Sequence, residues 1–107
     1  MKPGRYDITI YQRATFELEV TLPIDLTGHT VLAQVWDDKR RRKYADMDVE
    51  YVDRVEGQIK LTIDSDITKT LTKQGEWDLM VLYDDETKQY WLEGNVTIDP
   101  GYTDEAE

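Results

Sequence analysis

Phe16-Glu17-Leu18-Glu19-Val20-Thr21-Leu22 alternates apolar and polar residues without a break. A period-2 run puts successive side chains on opposite faces of an extended chain. One face can then leave water while the other stays wet, as in a half-buried strand. The pattern recurs at Tyr6/Ile8/Ile10, Val31/Ala33/Val35, Ile59/Leu61/Ile63, Trp77/Leu79/Val81/Tyr83 and Val96/Ile98. A weaker version, Met47/Val49/Tyr51, alternates against acids.

Outward from that stretch, strands are expected over about residues 6–11, 15–22, 30–36, 44–52, 58–63, 76–83 and 89–98. The connections carry turn chemistry. Pro23 lacks a ladder donor, Asp25 and Thr27 can bond their own backbone, and Gly28 permits positive φ. Asp84-Asp85-Glu86-Thr87 has the composition of a hairpin turn. Residues 64–71 break the alternation and predict one short helical turn near 65–71, with Asp64 or Ser65 as N-cap and Ile67 and Leu71 on one face. Gly94 marks a bulge or a close-packing site in the last strand. Seven short strands with frequent turns predict an all-β, seven-stranded antiparallel β-sandwich.

The 107 residues fit one domain. Residues 6–98 form it, with an N-terminal arm at 1–5 and an acidic C-terminal tail at 99–107 expected to order on a partner. There is no cysteine, which excludes disulfides, a thiol nucleophile and thiolate metal sites. No apolar run approaches the roughly 20 residues of a membrane helix. No apolar segment follows Met1-Lys2-Pro3-Gly4-Arg5, so no signal peptide is expected.

The net charge of -10 is unevenly spread. Five of the thirteen bases form one block, Lys39-Arg40-Arg41-Arg42-Lys43, while twenty-three acids crowd the chain. So acidic a body repels nucleic acid and anionic membrane, so a protein surface is the expected partner. The block reads either as a solvated hairpin tip or as a docking element complementary to an acidic neighbour or to a second copy.

No catalytic constellation is visible. His29, the single histidine, has no nucleophile or second base beside it and reads as a loop residue. Asp64, Ser65 and Asp66 lack the calcium-loop pattern of glycine and distant glutamate and read as helix-capping residues. Asp37-Asp38 and Asp84-Asp85-Glu86 read as solvated turns. No cofactor or metal is expected.

The aromatic residues carry more information. Trp77 shares the parity of Leu79 and Val81 and belongs to the core. Trp36 opposes Val35, and Trp91 opposes Leu92 and Val96 unless a bulge at Gly94 resets the phase. Exposed tryptophans on a sheet face serve protein contacts or stack on sugars. Trp36 and Trp91, with Lys39, Arg40, Arg41, Arg42 and Lys43, are therefore the candidate partner contacts. A carbohydrate-binding module acting at a host surface, with Trp36, Trp91 or Tyr90 as stacking platforms, is the alternative.

Two resemblances add to this reading. Leu71, Gly75 and Trp77 are spaced like the corner before strand F of immunoglobulin-like domains, with Trp77 where tyrosine is usual. Residues 7–16 and 23–30, Gly57 to Ile63, Thr68 to Leu71, Gly75 to Val81 and Trp91 to Ile98 resemble segments of small virion proteins of tailed bacteriophages. Arg13 replaces that family's usual glycine, and His29 its frequent tyrosine. The family resembles the immunoglobulin-like N-terminal domains of upper baseplate proteins, and similar domains decorate capsids. The resemblance implies an immunoglobulin-like sandwich, a non-enzymatic structural role in the virion, and contacts with other virion proteins and with copies of itself.

Overall fold

In the computed structural model, which describes residues 3–101, the alternation that opens at Phe16 lies on an edge strand. The strands are β1 (Gly4–Arg5), β2 (Ile8–Tyr11), β3 (Phe16–Thr21), β4 (Thr30–Asp37), β5 (Lys43–Asp53), β6 (Gln58–Ile63), β7 (Gly75–Leu82) and β8 (Lys88–Asp99), with one helical turn, α1 (Ser65–Thr68), between β6 and β7. They run in the order β1-β8-β7-β4-β5-β6-β3, with β2 also on β8. The protein is all-β, a curled mixed sheet. No helix among the described residues is long and apolar enough to cross a membrane.

The curl turns on β5. Its first half, Lys43 to Met47, pairs with β4, and its second half, Asp48 to Asp53, pairs with β6. Tyr44 is an extra residue at a bulge opposite Val35/Trp36, the kind of insertion that sharpens a strand's twist. As a result Ile10, Val35, Trp77 and Leu79 from one half share a single core with Ile59, Leu61 and Ile63 from the other. Each of these side chains contributes roughly 1.5–3 kcal/mol by leaving water.

The sheet is mixed and not purely antiparallel, because β1 and β2 both pair parallel with β8. The single strand expected over residues 6–11 is thus two strands, and it starts earlier, at Gly4. Gly4↔Leu92 and Ile8↔Val96 keep one register, so β1 and β2 are one line interrupted at Tyr6-Asp7. The interruption has a chemical cause. The Tyr6 carbonyl turns to accept a 2.7 Å hydrogen bond from Trp77 Nε1, and the Asp7 side chain takes the Asn95 N–H instead, at 2.8 Å. Gly94 makes room for this, since a Cβ there would lie 2.0 Å from the Tyr6 oxygen. Gly94 is therefore a close-packing site. The bulge in β8 sits at Trp91, between the pairs Leu79↔Leu92 and Met80↔Tyr90.

Two details of α1 differ from expectation. Asp64 holds the N-cap position, but its side chain makes no capping bond. The inward residue is Thr68, fully buried with its hydroxyl donating to the Ala14 carbonyl at 2.8 Å, while Ile67 is exposed. The turn is too short for an i,i+4 apolar face to form.

Arg13 follows β2 with φ 69°, a left-handed conformation that favours glycine, and its guanidinium donates to the Pro100 carbonyl at 2.9 Å. Asp99, placed in the tail by its sequence, still belongs to β8 and pairs with Tyr11. The rest of the expected tail beyond Gly101 lies outside the described residues.

Candidate functional site on the outer face of β4, β7 and β8

Odd-numbered residues of β4 and β7 point into the core, so the even-numbered ones line the outer face. The register then brings particular side chains together: Leu32 pairs with Met80, Gln34 with Asp78, and Trp36 with Glu76. On β8, Tyr90 lies opposite Met80 and Glu93 opposite Asp78. The result is a shallow concavity of about 230 Å³ with Trp36 and Tyr90 among its walls and Gln34, Asp78 and Glu76 as polar groups. Leu32 and Tyr90 remain 42% and 51% exposed, which leaves apolar surface beside the polar groups.

The β4–β5 hairpin tip folds over this face. Asp37 organises the tip, its Oδ1 accepting from Arg41 N at 2.6 Å and from Arg42 N at 3.3 Å. Arg40 adopts φ 57°, and its Nε donates to Glu76 Oε1 at 3.0 Å while a terminal nitrogen stands 3.9 Å from Glu93. Its hydrogen bond to Glu76 holds the guanidinium pKa above its usual value. Burial pushes the Asp78 carboxyl up, opposed by Arg40 and reinforced by Glu93 and Glu76. One cation thus faces three carboxylates. The Asp78 carboxylate makes no hydrogen bond among the described residues, so the face has acceptor capacity to spare.

The expected contact residues separate into groups. Trp36 and Arg40 meet on this face. Trp36 Nε1 donates to Gln34 Oε1 at 3.0 Å, which fixes the indole to its own strand. Lys43 pairs with Asp46 at 3.0 Å, while Lys39, Arg41 and Arg42 are exposed and make no ion pair among the described residues. Trp91 lies elsewhere. The bulge leaves it half-buried against the core, with Nε1 donating to the Tyr83 hydroxyl at 3.1 Å, which in turn donates to Gln89 at 2.8 Å. Sequence reasoning overlooked Gln34, Glu76, Asp78 and Glu93. The outward parity of Glu76 and Asp78 was a readable signal, but their alignment with Gln34 and Trp36 depends on a cross-strand register.

Other candidates are occupied structurally. His29 Nδ1 accepts from Asp84 N at 3.2 Å, and its ring meets Tyr83 edge-on at 4.8 Å. Asp25 and Asp85 close turns on Thr27 and Thr87, bonds that lower both carboxyl pKa values. No group of three or more histidine, cysteine or acidic side chains among the described residues is placed to hold a metal ion. No protein-family model matches this chain, and no curated protein matches it.

Proposed function

We propose that the chain is a non-enzymatic virion structural protein of a tailed phage. It works through protein–protein contacts, on the tail baseplate or as capsid decoration, and meets other virion proteins and copies of itself through the outer face of β4, β7 and β8. The observation that carries this reading is the outer face itself. Leu32, Met80 and Tyr90 form an apolar patch, Trp36 lies beyond the Gln34–Asp78 pair, and Arg40, Glu76 and Glu93 add charge beside them. Exposed aromatic and aliphatic side chains beside charged and amide groups supply the anchors and the polar contacts of a protein interface. The bacteriophage resemblance of the strand-forming segments supports the same reading.

We infer further that the fold is an immunoglobulin-like sandwich. In support of it, the pairs β3–β6 and β4–β7–β8 are those expected of B–E and C–F–G strands in such a sandwich, with β5 changing partners between the two halves. One core filled from both halves supports two facing layers.

The experiment is native mass spectrometry of the purified chain, together with imaging of virions that carry a tagged copy. Oligomers or capsid binding, with label at discrete positions on the particle, are the expected results. A chain that stays monomeric and leaves the particle unlabelled overturns the reading.

One observation favours a second reading, carbohydrate binding. Trp36 and Tyr90 flank an amide and two carboxylates in one concavity, a combination that supplies stacking surface and hydroxyl acceptors. Binding on a glycan array that is lost in Tyr90→Ser would select this reading over assembly.

A further inference from the structure

β3 closes one end of the strand order and pairs on one side alone, antiparallel to β6. The register says which of its main-chain groups face the open side. Leu22 N donates to the Gly57 carbonyl at 2.8 Å, and Val20↔Ile59, Leu18↔Leu61 and Phe16↔Ile63 continue that phase. Bonded pairs alternate with non-bonded ones in an antiparallel ladder, so Glu17, Glu19 and Thr21 turn N–H and C=O away from β6. These groups make no main-chain hydrogen bond among the described residues. Such a row of free donors and acceptors is a template for another strand.

The core is also left open at this edge. Phe16, Leu18 and Val20 face inward yet stay half-buried, whereas Ile59, Leu61 and Ile63 beside them on β6 are at most 1% exposed. The other end of the order differs, since Ile8 and Ile10 on β2 are buried. The outer side next to the edge is acidic. Glu19 and Glu50 stand on either side of Lys60, and Glu17 and Asp48 on either side of Thr62. Lys60 reaches Glu17 at 3.4 Å, so four carboxylates share one ammonium there. A second copy of β3 fits this edge poorly. The two antiparallel registers that overlap most of the strand set Glu17 against Glu19, or Glu19 against itself, and like charges directly opposite destabilise a sheet.

We propose that the β3 edge takes an extended segment of another protein, added as a strand, in which apolar residues alternate with lysine or arginine. The apolar side of that segment covers Phe16, Leu18 and Val20. Its main chain bonds Glu17, Glu19 and Thr21, and its cations stand opposite the Glu17 and Glu19 carboxylates. Main-chain bonds supply the affinity, and the match of alternation and charge supplies the selectivity. The inference stands apart from the assembly reading, since this edge and the outer face of β4, β7 and β8 are different surfaces.

The test adds a capped peptide of alternating valine and lysine, six residues long like β3, to the full ¹⁵N-labelled chain. The expected result is shifted amide signals and slowed hydrogen exchange at Glu17, Glu19 and Thr21, with no response to the same peptide carrying glutamate for lysine. Glu17→Lys/Glu19→Lys changes two exposed side chains and should reverse this preference, weakening the lysine peptide by about tenfold or more. Glu19→Pro removes one outward N–H without touching the β6 ladder, so it should weaken binding beyond Glu19→Gln, which removes the charge alone. Equal losses in these two variants overturn strand addition. Unmoved amides at millimolar peptide overturn the proposal, as do equal responses to the two peptides. Protection of the same amides that grows with protein concentration alone assigns the edge to a second copy and overturns it too.

Discussion

The Trp77 indole nitrogen and the Tyr6 carbonyl oxygen, 71 positions apart in sequence, lie 2.7 Å apart and join the N-terminal strand line to the centre of the core. Trp77 is 1% exposed. Its N–H therefore needs an acceptor inside the protein, and the break between β1 and β2 provides one. In immunoglobulin-like corners a tyrosine hydroxyl bonds a nearby backbone. Here an indole bonds a backbone carbonyl far away in sequence.

This contact is possible because residue 94 has no side chain. Gly94→Ala would put a methyl 2.0 Å from the Tyr6 oxygen and 3.0 Å from Trp77 Nε1. The backbone of Tyr6 must then move. A loss of about 2–4 kcal/mol is expected from urea unfolding.

Trp77→Phe keeps a ring in the core and removes the donor. It combines an unpaired carbonyl with a partial cavity, and about 2–4 kcal/mol should be lost. Faster amide exchange at Tyr6, whose N–H bonds the Glu93 carbonyl at 2.9 Å, should accompany the loss. Unchanged exchange there would show that the strand line does not depend on the indole.

Asp78 gives a pH prediction. Its carboxyl pKa is raised in the folded chain, mainly by burial. The fold therefore penalises the ionised form, and this penalty is present above the folded pKa and relieved as pH falls through it. Asp78→Asn should stabilise the protein at neutral pH, by less than about 1 kcal/mol because solvent screens a half-exposed group. The gain should disappear in acid, below the ordinary aspartate range, as read from thermal midpoints against pH.

Arg40→Ala removes the one cation among three carboxylates. Stability should fall by about 1 kcal/mol or less, as for other exposed pairs. The Asp78 carboxyl should titrate at still higher pH, because the group that lowers its pKa is gone. Carboxyl carbon shifts followed through a pH titration measure this directly.

On the outer face, Leu32→Ser and Tyr90→Ser change exposed side chains, so each should alter stability by about 0.5 kcal/mol or less. Under the assembly reading, both should weaken oligomers in sedimentation by tenfold or more, the scale of a lost interface anchor of about 1.4 kcal/mol or above.

Period-2 alternation made the strands readable from sequence alone, because a half-buried strand must sort its side chains by face whatever it pairs with. The strand over Gln58–Ile63 appears within the expected bounds, and the inward parity of Trp77, Val35 and Leu61 follows from the same rule. Pairing partners are a different kind of information. Only the tertiary structure decided that β1 and β2 run parallel to β8, that β5 changes partners at Met47/Asp48, and that the β8 bulge falls at Trp91 and not at Gly94. These depend on which distant residues compete for the same hydrogen bonds and space, as Trp77 and Asp7 do at the Tyr6 break. The candidate site follows the same division: Trp36 and Arg40 could be picked out singly, but their meeting with Asp78 and Tyr90 exists only in the cross-strand register.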